Sequence, residues 1–200
     1  MKDITLIFPF VMPSVPNAPA PLVIQHIRQA AIEFCRRSKV LHPTLSIASV
    51  PNQATYSLTL AEHDAHALLG VYIDDSPVDV LGLEDALDRQ AQGDTGQFAH
   101  LEGDSLALNT APTLAGQDIT VNLVRVPSLA CTSLADILVD RYGQDIAYGA
   151  IASLSILPEY RDAVSAQAAG AKSEARKAST SLAVSRAGSR GYKRAKGHFF

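Results

Sequence analysis

No run of about 18 apolar residues occurs in this chain of 200, so the sequence offers no helix for crossing a membrane. Cysteine is nearly absent. The two present, Cys35 and Cys131, make neither a disulfide framework nor a metal-ligand pattern, and each is expected as a small buried or half-buried residue. There is no Gly-x-Ser-x-Gly and no glycine-rich loop between a strand and a helix, which removes the usual nucleophile and phosphate-cradle signatures. His63-Asp64-Ala65-His66 lacks a third histidine or a cysteine at ligand spacing, so a solvated strand edge or loop is expected there rather than a metal site. The carboxylate pairs Asp74-Asp75 and Glu84-Asp85 read as turn residues, where aspartate bonds its own backbone. With these signals missing, neither enzymatic activity nor any cofactor or metal is expected.

Bases are scarce in one half and acids in another. The chain carries a net charge of −3, yet between His42 and Val126 twelve carboxylates face only Arg89 and Arg125, a formal −10. From Ala171 onward eight lysines and arginines stand against Glu174, a formal +7. An acidic middle and a basic end predict two surfaces with different partners.

What is present is enough apolar material, 47% of the residues, for a sizeable core. The stretch Ser133 to Tyr160 organises the rest. Leu138, Tyr142, Ile146, Ala150, Leu154 and Leu157 recur at helical spacing, with Thr132 or Ser133 as the expected N-cap and Pro158 as the stop. Small residues (Ala147, Gly149, Ala150, Ala152, Ser153) crowd its middle, so another helix can approach closely. An earlier helix is predicted from about Pro21 to Val40, with Val23, Ile27, Ala30, Ala31 and Phe34 buried, and Leu41-His42-Pro43 ending it. A later helix is predicted from Glu159 to about Ser185. Its best stripe, Tyr160, Val164, Ala168, Ala171 and Ala175, is poor in large apolar groups and calls for neighbours, including other subunits.

Residues 1–18 are broken by prolines and are expected to be irregular, with a helical turn near Ile4 to Phe10. Asp3, Pro9, Pro13 and Pro16 argue against a secretory leader, and a cytoplasmic origin is expected. Between the first two helices the pattern has period two. Strands are predicted near 45–49, Thr55 to Leu60, Ala67 to Ile73, Pro77 to Leu81, Gln97 to His100, Ser105 to Asn109 and Asp118 to Val126, with a turn at Asp74-Asp75 and a short helix over Leu83 to Gln90. The fold expected is α+β: a helical body of about three long helices, an inserted antiparallel β module and an extended C-terminal arm. Its parts are 1–43 (N-terminal segment and first helix), 44–127 (β module), 128–186 (completing helices) and 187–200 (basic arm).

Several phrases, in order, carry a resemblance. They are Ala31-Ile32-Glu33-Phe34-Cys35-Arg36-Arg37-Ser38, Thr55-Tyr56-Ser57-Leu58 after a turn, the strand Leu106 to Asn109 leading into Ala111-Pro112, and Ile146-Ala147-Tyr148-Gly149-Ala150-Ile151-Ala152-Ser153-Leu154 followed by Leu157-Pro158. Over residues 15–185 the chain resembles bacteriophage head-to-tail adaptor (connector) proteins. The resemblance implies a structural virion protein of the neck, made in the host cytoplasm and active in tail assembly and DNA ejection. It would form a homo-oligomeric ring, of twelve copies, beneath the portal protein. It would join the portal to a downstream nozzle or tail-tube protein, with genome DNA passing through the ring without specific binding and with no membrane involved.

Val23, Ile27, Phe34, Leu138, Tyr142, Ile146 and Leu154 would then form the core of the helical body. The arm reaching the portal would carry Arg186, Arg190, Tyr192, Lys193, Arg194, Lys196, His198, Phe199 and Phe200. The residues themselves leave an alternative open: a phage accessory protein that binds nucleic-acid phosphates with the basic tail and stacks Tyr192 on a base.

Overall fold

The computed structural model describes residues 1–58, 62–160 and 163–194, without the side chains of 163–166 and 186–194. In chain order it opens with β1 (Lys2–Asp3), a 3-10 turn (Ile4–Ile7), α1 (Phe8–Val11) and α2 (Ala20–Ser38). Then follow β2 (Thr44–Ala48), β3 (Thr55–Ser57), β4 (His63–Ile73), β5 (Ser76–Val80), α3 (Leu83–Ala91), β6 (Phe98–Glu102), β7 (Ser105–Leu108) and β8 (Asp118–Pro127). The chain closes with β9 (Ser133–Leu134), α4 (Asp136–Leu154), a 3-10 turn (Pro158–Tyr160) and α5 (Ala163–Arg194). It divides into a helical unit, Met1–Val40 with Pro127–Phe200, and a β unit, Leu41–Val126.

The class is mixed α and β, but the helix count differs from the three expected. Among the described residues there are five α-helices, because α1, of 4 residues, and α3, the 9-residue helix expected over Leu83 to Gln90, add to α2, α4 and α5. The N-terminal segment is more ordered than its prolines imply. Lys2 and Asp3 pair antiparallel with Leu134 and Ser133, and Asp3 caps the following turn by accepting from the Thr5 N–H at 2.7 Å. Ile4, Ile7, Val11, Val15 and Ala18 are buried, so this segment belongs to the core of the helical unit. Helix α2 ends at Ser38, earlier than His42-Pro43 suggests, because Lys39 turns left-handed (φ 53°) and its N–H bonds the Cys35 carbonyl at 2.9 Å.

Helix α4 starts later than the sequence implies. Ser133 is spent in the β1–β9 ladder, Ala135 occupies the N-cap position, and no side chain caps the helix. Its N-terminal charge is met otherwise: Asp136 lies in the first turn and pairs with the Met1 ammonium at 2.8 Å. Pro158 does not stop α4, which ends at Leu154 before a tight turn.

The β unit is one seven-stranded sheet in the order β2-β8-β4-β5-β6-β7-β3. Its interior gathers Tyr56, Leu58, Val71, Ile73, Val78, Ala99, Leu106, Leu108, Ile119, Val121 and Leu123. Two features depart from a purely antiparallel module. First, β5 and β6 run parallel, with Asp79 opposite Phe98 and Val80 opposite Ala99, because α3 carries the chain back between them. Second, Glu84 and Asp85 are not turn residues but the first turn of α3, where the helix dipole favours carboxylates. The Asp74-Asp75 turn is as expected: both residues adopt positive φ (47° and 64°), the geometry of a two-residue hairpin between β4 and β5. Asp74 also ties the tip to β8, accepting from the Asp118 N–H at 3.0 Å and from Gln117 Nε2 at 2.8 Å.

Candidate interaction surfaces

Helix α4 is thin because three elements reach it. A Cβ placed on Gly149 would sit 3.1 Å from Ala30 Cβ on α2 and 3.4 Å from Ser173 Oγ on α5. One placed on Gly143 would meet Ile7 and Phe10 of the N-terminal segment at 3.8 Å. Gly149 therefore sets a close approach of α2 to α4, while Gly143 meets the N-terminal segment at ordinary contact distance on another side of the helix. Of the expected core residues, Val23, Ile27, Phe34, Leu138, Ile146 and Leu154 are almost fully buried. Tyr142 is half-buried, its ring tilted on Phe34 with centroids 5.1 Å apart. His26 Nδ1 lies 2.8 Å from Ser153 Oγ, joining α2 to α4, and burial lowers the pKa of this imidazole.

Helix α5 is rotated relative to the expected stripe. Ala169, Ser173, Lys177 and Thr180 face inward, whereas Ala168, Ala171, Ala175 and Ala178 are exposed and Leu182 keeps 58% of its surface. The side chain of Val164 lies outside the described residues. Polar groups fit the inward side because each has a partner or little bulk. Lys177 buries its stem and donates to Glu174 Oε1 at 2.9 Å. Glu174 also receives Arg37 from α2, which in turn pairs with Glu33 at 2.6 Å. The Lys177 hydrogen bond, with the lysine and arginine charges, holds Glu174 below the ordinary carboxylate range. Asp145 on α4 pairs with Arg176 at 3.5 Å, but burial outweighs that pair and raises the Asp145 pKa. These cross-helix charge pairs were the signal available in the sequence for the true phase of α5; an apolar stripe search passes over them.

Of the range 187–200 expected as an extended arm, the described part is helical. The backbone of α5 continues helically to Arg194, through Gly188 and Gly191, each of which costs a helix only about 1 kcal/mol. The side chains of Arg186, Arg190, Tyr192, Lys193 and Arg194 lie outside the described residues, as do Lys196, His198, Phe199 and Phe200 altogether.

Among the described residues, no group of three or more His, Cys, Asp or Glu is assembled that could hold a metal. His63 is buried and His66 exposed, both on β4. Cys35 and Cys131 are buried and not joined by a disulfide, and burial together with Cys131 pushes Cys35 to about 12. Arg28 Nε fastens the loop before β9 by donating to the Cys131 carbonyl at 2.7 Å. No helix of the described residues is long and apolar enough to cross a membrane.

Packed helices with an outward apolar side, joined in sequence to a strongly acidic sheet, make a protein whose prominent features are contact surfaces. The model of the SU10 adaptor protein family matches residues 9–195. The chain belongs to this family, whose members are phage head-to-tail adaptors. A search of curated proteins finds no match to it.

Proposed function

We propose that the protein is a structural component of the virion neck that assembles as a ring of twelve copies beneath the portal protein. In this reading the helical unit builds the ring wall. The β unit presents a surface to the downstream nozzle or tail-tube protein, and the basic residues from Arg186 to Lys196 with Phe199 and Phe200 attach to the portal. Genome DNA passes through the bore without specific binding, and no catalytic step is required of the chain.

Beside the family match, one observation carries the reading: α5 buries Ser173, Lys177 and Thr180 while turning Ala168, Ala171, Ala175 and Leu182 to the outside. A helix whose apolar side faces away from its own unit gains its missing burial from a neighbour, and a neighbour related by rotation closes a ring.

The test is the mass of the complex. Mixing the protein with the portal of the same phage and weighing the product by native mass spectrometry should give one portal ring plus twelve copies. Absence of association at micromolar concentration overturns the proposal. Association with double-stranded DNA instead of portal, weakening steeply with salt, establishes the nucleic-acid-binding alternative.

A further inference from the structure

The sheet of the β unit ends in two unlike edges, β3 on one side and β2 on the other. An edge strand is a template for another chain unless it is short, charged, interrupted by proline or covered. Edge β3 is guarded: it has only three residues, and Gln53 Nε2 donates to the Thr55 carbonyl at 2.7 Å. Edge β2 has no such guard, for Thr44 to Ala48 contains neither a charge nor a proline.

The ladder decides which backbone groups of β2 are spare. Arg125 N–H bonds the Leu41 carbonyl at 2.9 Å, Leu123 N–H the Pro43 carbonyl at 3.3 Å, and Ser49 N–H the Gln117 carbonyl at 2.9 Å. The register carries the same alternation through Leu45 opposite Val121 and Ile47 opposite Ile119. In an antiparallel pair the residues between these turn their N–H and C=O the other way. Thr44, Ser46 and Ala48 therefore aim donors and acceptors away from β8. All three are exposed, and no backbone partner meets them among the described residues.

The two faces of β2 say what would fit. Leu45 and Ile47 pack on the sheet interior yet stay half-buried, which leaves apolar surface at the edge. On the other face Ser46 Oγ donates to Asp118 Oδ1 at 2.5 Å and Thr120 Oγ1 to Oδ2 at 3.3 Å, fixing an exposed carboxylate one strand in. The hairpin tip Asp74-Asp75 is tied beside it, since Asp74 accepts from the Asp118 N–H. An added strand would set alternate apolar side chains beside Leu45 and Ile47, and the others toward Asp118, where cations suit. A second copy brings the same formal −10 in its β unit and no cation in its β2, so it is the wrong occupant. We infer that the edge of β2 takes up, as a further strand, an extended segment of the downstream nozzle or tail-tube protein that alternates apolar residues with lysine or arginine. The inference rests on the reading that the β unit meets that protein, and it names the contact.

The test uses the portal-bound protein and the downstream tail protein of the same phage. Ser46→Pro deletes an outward N–H and leaves the backbone ladder to β8, whereas Ser46→Ala deletes only the hydroxyl. Binding of the tail protein should weaken about tenfold or more with Ser46→Pro and less than about threefold with Ser46→Ala. Asp118→Asn still accepts from Ser46 and Thr120. It should weaken binding several-fold at about 0.05 M salt and hardly at all at about 0.5 M, where surface charges are screened. Deuterium uptake over residues 43–49 should be high without the tail protein and fall when it binds. Native-like binding by a folded Ser46→Pro chain, no effect of Asp118→Asn at low salt, or unchanged uptake over 43–49 each overturns the inference and leaves the neck reading standing. If the tail protein does not bind the native chain, the reading of the β unit fails and the inference falls with it. Protection of 43–49 that grows with the concentration of this chain alone assigns the edge to a second copy and also overturns it. Should Ser46→Pro not fold, Asp118→Asn and the exchange measurement decide.

Discussion

Helices α4 and α5 lie side by side in the same unit, yet they solve the burial problem in opposite ways. Helix α4 buries Leu138, Ile146, Ala147, Ala150, Ile151 and Leu154, and its glycines admit neighbours on different sides. Helix α5 presents a polar, small-residue side (Ala169, Ser173, Lys177, Thr180) to the same unit and keeps Ala168, Ala171, Ala175 and Ala178 outside. A helix of the first kind is held by its own fold. One of the second kind has its stability within the unit set by a few charge pairs and close contacts, and its apolar side stays exposed, the side that the proposed ring would cover. The difference matters because mutations in the two helices should separate folding from function.

The largest effect is expected in α4. Leu154 is fully buried, and Leu154→Ala should cost about 2–5 kcal/mol, measured as a lower urea midpoint of the isolated protein. Gly149→Val comes next. Its Cβ would stand 3.1 Å from Ala30 Cβ, an approach that α2 can relieve only by shifting, so a loss of about 1–3 kcal/mol is expected. A Gly149→Val protein with unchanged stability would mean that α2 and α4 do not pack as closely as described.

The corresponding change in α5 should be silent for folding. Leu182→Gln and Ala175→Gln alter exposed positions, and each should move stability by less than about 0.5 kcal/mol. Both should nonetheless reduce the mass of the complex formed with the portal. If either unfolds the isolated protein, or if the double variant still gives a full ring, the contrast between the two helices is wrong.

How much of this was legible beforehand follows the same division. The stripe Leu138, Ile146, Ala150, Leu154 could be read because large apolar groups at helical spacing dominate the pattern, and the strands could be read because Asp74-Asp75 and the glycines punctuate them. The phase of α5 could not be read from apolar spacing. Alanine is compatible with either side of a helix, and the inward positions were decided by Ser173 fitting beside Gly149 and by Arg37 meeting Glu174 across helices. The start of α4 was missed for a related reason: Ser133 is a good cap locally, but pairing with Asp3, far away in the chain, took precedence. The parallel β5–β6 pair was hidden because period-two alternation carries no strand direction.

Burial also differs in its chemical consequences. Cys35, at the α2 side of the helical core, has its thiol pushed up to about 12 from 9.0. At pH 8 a thiol reagent should label it only as fast as the protein opens, and labelling should speed up with urea in step with unfolding. Rapid labelling of the native protein would show that this part of the core is more open than α4 requires.

The smallest expected effect is at the seam between the two helices. Asp145 belongs to α4, its side chain is 13% exposed, and Arg176 of α5 approaches it at 3.5 Å. Burial raises its pKa above the ordinary 3.8 and the arginine pulls it back only in part. The folded protein therefore takes up this proton at a higher pH than the unfolded chain does. The sign follows: the site is unstrained below pH 3.8, and stability is lost as pH rises through its folded pKa, after which the full penalty persists to neutrality. Asp145→Asn removes the penalty and leaves Arg176, itself 66% exposed, to water. At pH 7 the variant should be slightly more stable than the native chain, by less than about 1 kcal/mol, and the advantage should vanish as the pH falls toward 3.8. Urea midpoints of the two proteins at pH 7 and at stepwise lower pH measure that difference directly. A variant less stable at pH 7 would mean that the Arg176 pair outweighs burial, and that α5 is held to α4 by charge more firmly than by fit.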